Sequence, residues 1–155
     1  MSIPNVELAN GEELMDTAAE LMYRQITDLM MDNGKPATSA FGPASIDIGK
    51  PSYSRSGQVG AQQARDWHTE NASRPSLGVW AVSVEEVLSA GLVAIDDMKT
   101  PIPADGRRAP GHCYVDFRNL NKKAERVYRA KLHFCATDRG EVPTTETLKD
   151  GQLFA

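Results

Sequence analysis

Apolar residues in the first fifth of the chain recur with a helical rhythm. Leu14, Ala18, Leu21, Met22, Ile26, Leu29 and Met30 stand at i, i+4, i+7, i+8, i+12, i+15 and i+16, with polar residues between them. That period predicts a helix over 11–32 with one apolar face. Asn10 can cap it, Glu13 three residues on can reach back to the cap, and Asn33-Gly34 followed by Pro36 stops it. Such a helix would run roughly 33 Å, long for a chain of 155 residues. It reads as a rod built to lie across something.

The pattern then loosens. Residues 35–58, rich in Pro, Gly and Ser, predict a loop with one short extended piece at 46–48. Residues 59–72 predict a weaker helix with Ala64, Trp67 and His68 on its buried side and Gln62, Arg65, Asp66 and Glu70 toward water. Val79, Trp80 and Val82 mark a strand over 77–82. Ser83 and Glu86 form a capping box for a short helix that Gly91 closes, and 92–95 is a short strand. A proline-rich loop over 100–111 carries Arg107-Arg108. The clearest strand is 112–117, where His112, Tyr114 and Asp116 alternate with Cys113, Val115 and Phe117.

The last predicted helix, 120–138, turns Leu120, Ala124, Val127, Tyr128, Leu132 and Cys135 inward. Lys122, Arg126, Arg129 and His133 form a ridge on another face, and Gly140 and Pro143 end it. The expected fold is therefore α+β: a small, mainly antiparallel sheet with a long N-terminal amphipathic helix and a basic C-terminal helix packed on it. One domain is expected over 1–143, comprising the helix 11–32, the loop-rich 35–58 and an α+β core over 59–139. A flexible tail is expected over 144–155. No internal repeat is visible.

Charge sharpens this picture. Residues 1–35 hold seven acids against two bases, a net of −5, while 118–139 hold seven bases against two acids, a net of +5. The overall −4 conceals two opposite poles. The acidic one carries Met15, Met22, Met30 and Met31, four of the six methionines, and methionine suits both irregular cores and protein-binding surfaces. Met22, Ile26, Leu29 and Met30 are thus candidate partner-binding residues, and a protein partner or homo-oligomer is expected. Lys122, Arg126 and Arg129 are candidate polyanion-binding residues, which allows nucleic acid.

There is no apolar run of about 18 residues, so no membrane partner is expected. The N-terminus lacks the basic and apolar regions of a signal peptide. Cys113 and Cys135 form no disulfide framework, and a cytoplasmic location is expected. Asn71-Ala72-Ser73 fits a glycosylation sequon, which matters only in a secreted protein.

Among side chains with chemistry, His68, His112, His133, Cys113 and Cys135 invite zinc, but the spacing opposes it. His112 and Cys113 point to opposite faces of a strand, and His133 and Cys135 diverge around a helix. No metal and no cofactor is expected. Gly49-Lys50 does not complete a P-loop, because Pro51 stands where Ser or Thr is required.

Acid–base chemistry is the stronger idea. His112, Tyr114 and Arg118 lie along one strand face as candidate catalytic residues, with His68 or His133 as a second proton carrier. The hydroxyl-rich stretch Ser52-Tyr53-Ser54-Arg55-Ser56-Gly57 reads as an anion loop, making Ser54 and Arg55 candidate ligand-binding residues beside Trp67 and His68. Three functions follow. The first is a small binding or accessory protein acting through the acidic helix and the basic face. The second is a small enzyme on phosphodiester or nucleotide substrates, nuclease-like or a nucleotide transferase, using His112. The third is plain nucleic-acid binding. The sequence leaves open whether the chain is an enzyme.

Overall fold

A computed structural model describes residues 6–104 and 106–148. The architecture is α+β, built on one six-stranded sheet in the order β1-β7-β8-β5-β2-β6 with every neighbouring pair antiparallel. Its strands are β1 (Glu13–Leu14), β2 (Leu21–Ile26), β5 (Ser52–Arg55), β6 (Gly78–Ser83), β7 (Ala94–Asp96) and β8 (His112–Val115). A separate pair, β3 (Met31–Asp32) and β4 (Lys35–Pro36), is joined by Asn33 and Gly34. Among the described residues, three helices, α1 (Ala61–Asn71), α2 (Val84–Ala90) and α3 (Lys122–Arg139), and three short 3₁₀ turns complete it. No helix among the described residues is long and apolar enough to cross a membrane.

The N-terminal helix expected over 11–32 does not exist. Its stretch forms β1, β2, a 3₁₀ turn at Asp28–Met30 and β3. Met22 and Ile26 are four residues apart, which satisfies a helix and a strand alike. Arg24 between them decides for the strand: Met22, Arg24 and Ile26 are all buried, while Leu21, Tyr23 and Gln25 are half-exposed. A buried arginine hides a two-residue period from anyone sorting residues by polarity. Asn33-Gly34, expected as a helix stop, has φ of 53° and 79° and makes the tight turn between β3 and β4, the two-residue hairpin loop that this dipeptide favours.

The partner surface assigned to this stretch fails with the helix. Met22 and Ile26 have no exposed surface, Met30 packs against the core, and only Leu29 stands out, at 72% exposure. The acidic pole does not clasp α3 either. Glu13 pairs with Lys99, Glu20 with Arg55 and Asp28 with Arg74. The loop expected over 35–58 contains β5, and Ile46 of its expected extended piece lies in a 3₁₀ turn (Ser45–Asp47).

One face of the sheet carries the main core, where Met22, Ile26, Tyr53, Trp80, Val82, Cys113 and Val115 meet Leu132 and Ala136 of α3 and Phe41. Val127, expected inward, is 46% exposed. The Ser83–Glu86 capping box forms as read, with Glu86 N donating to Ser83 Oγ and Ser83 N to Glu86 Oε1, and Gly91 closes α2 at φ 104°. In α1 the buried positions are Ala64, Arg65 and Thr69. Arg65, expected toward water, instead donates to Ser76 O and Thr144 Oγ1. Trp67 and His68 are half-exposed. Residues 144–148, the described part of the expected tail, lie along α1 through Thr145 with Gln62 and Thr147 with Asp66; 149–155 fall outside the described residues.

On the core face Arg55 joins two carboxylates. Nε and Nη2 donate to Glu20 and Nη1 to Asp96, while Gly57 N also donates to Glu20. The Arg55 guanidinium holds the Glu20 carboxyl below its ordinary range. A carboxyl lowered in the folded state stabilises fully above its unfolded pKa, about 4.3, and loses that contribution as pH falls through its folded value. Glu20→Gln is therefore expected to lower stability at pH 7 and to flatten the fall in stability below about pH 4. Urea unfolding at a series of pH values measures both, and an unchanged acid limb would assign the acid sensitivity elsewhere.

Candidate active site

The opposite face of the sheet opens into a cleft of about 680 Å³. Cross-strand partners share a face, so the pairings Ser54↔His112 and Ser52↔Tyr114 place Ser52, Ser54, His112 and Tyr114 together, turned away from the core. Asp96 pairs with Cys113 and points coreward to Arg55. One step on, Asp97 faces the other way, onto His112. The residue just past β7 and the adjacent strands β8 and β5 thus deliver Asp97, His112 and Ser52 in line.

These three side chains form a hydrogen-bonded chain. His112 Nδ1 lies 2.6 Å from Asp97 Oδ1, and Nε2 lies 2.9 Å from Ser52 Oγ. A carboxylate only accepts, so in the neutral ring the proton sits on Nδ1 and Nε2 accepts from the Ser52 hydroxyl. Asp97 is held in turn by its own loop, since its carbonyl accepts from Thr100 N and Thr100 Oγ1. Gly111, just before His112, has φ 67°, and a Cβ there would sit 2.9 Å from Gln58 Cβ. Only glycine brings the strand in this way.

The cleft opens where two strands part. β2 and β5 pair only through Met22 with Arg55 and Tyr23 with Ser54. Beyond that the Ser52 carbonyl accepts from Arg24 Nη1, while Arg24 Nε and Nη2 donate to Ala40 O and Gly42 O. One buried guanidinium pins β5 and the 38–42 segment around the opening.

Tyr23, Trp67 and His68 supply an aromatic wall; Gln25 is also in the lining, its Oε1 accepting from Ser76 Oγ and its Nε2 buried without a hydrogen-bond partner. Four arginines (24, 74, 107 and 108) and two aspartates (47 and 97) are the charged residues of the lining, and Asp97 faces His112. The lining is basic in a chain that is acidic overall. Arg108 is tied to Met98, Thr100 and Pro101, Arg74 to Asp28, and Arg107 donates to Asn71 O. The arginines therefore set the potential of the cleft from fixed positions.

Of the sequence candidates, His112, Ser54, Trp67 and His68 come together in this cleft. Tyr114 shares the face but not the cleft: it is buried beneath the N-terminal segment, and its hydroxyl donates to Glu12. Burial pushes its phenol well above the ordinary tyrosine range, and Glu12 adds to this. Arg118 is bound to Asp116 and lies over the Tyr114 ring. Arg55 points to the core face. His133 Nε2 donates to Pro36 O from the far side of the molecule, and burial pushes the Cys113 thiol up.

Lys122 and Arg126 are exposed on α3, whereas the stem of Arg129 crosses Gly42, where a Cβ would meet its Cδ at 2.2 Å. No group of three or more His, Cys, Asp or Glu among the described residues is placed to hold a metal ion.

Sequence reasoning missed Ser52 as a site residue, and Asp97, Gln25 and Arg24 altogether. The Ser-Tyr-Ser-Arg alternation held the signal for Ser52, since residues two apart in a strand share a face. The Asp96-Asp97 pair at a strand end held one for Asp97, because neighbouring acids there must face opposite ways. The chain matches no protein-family model, no curated protein and no solved structure.

Proposed function

We propose that the chain is a small enzyme acting on an anionic substrate of the phosphodiester or nucleotide class, with His112 moving the proton. The observation that carries this reading is the His112 ring held between Asp97 and Ser52 inside the cleft. A histidine that only packs needs one partner and no cavity. This one has its tautomer set on one side and a hydroxyl presented on the other, which is the arrangement of an oriented general base. The basic lining supports a negatively charged substrate, and Tyr23 and Trp67 suit an aromatic base. Nucleic acid enters this reading as one member of the phosphodiester class.

The free thiols Cys113 and Cys135 suit a reducing compartment such as the cytoplasm. Association with another protein or a second copy keeps one surface in its favour, the exposed Val127 and Phe134 of α3. It has lost the surface that first suggested it.

The test is turnover of bis(4-nitrophenyl) phosphate and of dinucleoside monophosphates by the wild type and His112→Ala. The variant is expected to lose at least about 100-fold in kcat with a melting temperature close to wild type, since His112 is half-exposed. Equal turnover by the two proteins would overturn the reading.

A further inference from the structure

We infer that Ser52 is a nucleophile, and that the enzyme works through a covalent phosphoryl-serine intermediate. This rests on the reading of the cleft as a phosphodiester or nucleotide site. Two serines of β5 face the cleft, and the structure separates them. Ser54 is 7% exposed, whereas Ser52 is open to solvent and alone has its hydroxyl on His112 Nε2. A serine hydroxyl is a weak nucleophile until an adjacent base can take its proton, and that base must be oriented by a third group. Asp97 is that group. The Ser52 main chain is fixed as well, through its carbonyl on Arg24.

The chemistry closes without any further reagent. Ser52 Oγ attacks phosphorus as its proton passes to His112 Nε2, and the bond from phosphorus to the leaving oxygen breaks. The leaving alkoxide departs on the side of phosphorus opposite Oγ and takes a proton from solvent water. Water then attacks the phosphoryl-serine from that vacated side and gives its proton to solvent. As the Oγ–P bond breaks, His112 Nε2 returns to Ser52 the proton it took, leaving a phosphomonoester. Asp97 remains a carboxylate throughout, stabilising the transient imidazolium.

The experiment is capture by a fluorophosphonate, in which Oγ–P forms as P–F breaks and fluoride leaves, run beside turnover of bis(4-nitrophenyl) phosphate. The intact wild-type chain is expected to gain one phosphonyl group, mapped to the peptide carrying Ser52. Ser52→Ala is expected to gain none there, and His112→Ala to react at least about 100-fold more slowly. Ser52→Ala is expected to lose turnover by a similar factor while keeping the wild-type melting temperature.

An uncaptured wild type whose turnover survives in Ser52→Ala would overturn the nucleophile and leave His112 acting on water, with the proposed function intact. Capture at Ser52 without turnover of any phosphodiester would support the nucleophile and overturn the substrate class. Neither capture nor turnover by the wild type would overturn both.

Discussion

Arg24→Met is expected to lower folding stability by about 3 kcal/mol or more. The arginine is 6% exposed, and its three guanidinium nitrogens donate to the carbonyls of Ala40, Ser52 and Gly42 at 2.8, 2.8 and 3.3 Å. Its Cζ also lies 5.4 Å from the centre of the Tyr53 ring. Methionine can replace the stem's packing but donates nothing. Each buried carbonyl left without a donor costs roughly 1–3 kcal/mol. Those of Ala40 and Gly42 are buried and that of Ser52 is partly so, which gives the figure above.

For a domain of this size that corresponds to roughly 6–12 °C in melting temperature. Because two of the carbonyls belong to the 38–42 segment and one to Ser52, the variant is also expected to loosen the cleft before it unfolds the sheet. Urea unfolding measures the first effect and amide hydrogen exchange over 38–55 the second. A loss of under about 0.5 kcal/mol, the range of an unremarkable surface change, would mean that water reaches those carbonyls and that Arg24 is not their keystone.

The second large effect concerns Asp97→Asn, which is expected to reduce turnover by about 10³–10⁴ at neutral pH while changing stability little. An aspartate–histidine–serine chain is sensitive to this substitution through the tautomer rather than through geometry. An asparagine that turns its amide N–H toward Nδ1 makes Nδ1 the acceptor and leaves the ring proton on Nε2. There it blocks transfer from Ser52. The main-chain bonds from Thr100 to the residue 97 carbonyl do not depend on the side chain, so the loop keeps its course. Turnover is measured beside thermal unfolding. Activity within ten-fold of wild type would reduce Asp97 to a loop anchor, and the drop of a merely unfolded variant would show in the melting temperature.

How much of this was legible before the structure depends on whether a signal was local. The Ser83–Glu86 box and Gly91 define α2 within nine residues, and the alternation from His112 to Phe117 names both faces of β8 without help from elsewhere. α1 and α3 are likewise written in their own periods, although which face each buries is set by the sheet beneath: Arg65 goes inward because Ser76 and Thr144 are there to accept from it.

The failures are non-local. Nothing near Arg24 says that three distant carbonyls will satisfy it, so its position read as polar and the strand read as a helix. Asn33-Gly34 permits both a helix end and a tight turn, and the mistaken helix chose the former. His112 stands out in the sequence as a candidate, but its partners lie 15 and 60 residues away, and β7, β8 and β5 become neighbours only through tertiary pairing. Tyr114 and Arg118 were drawn in by proximity in sequence, and the N-terminal segment that covers Tyr114 could not be foreseen from β8 alone.

Asp96 ends β7 and Asp97 follows it, their carboxylates on opposite faces, one braced against Arg55 and the other against His112. Deleting or inserting a single residue in that strand would slide the pair out of register, so that one place keeps a carboxylate and either Arg55 or His112 loses its aspartate. The brace beneath the sheet and the cleft above it are thereby yoked at this dipeptide: a change in the strand's length cannot spare both.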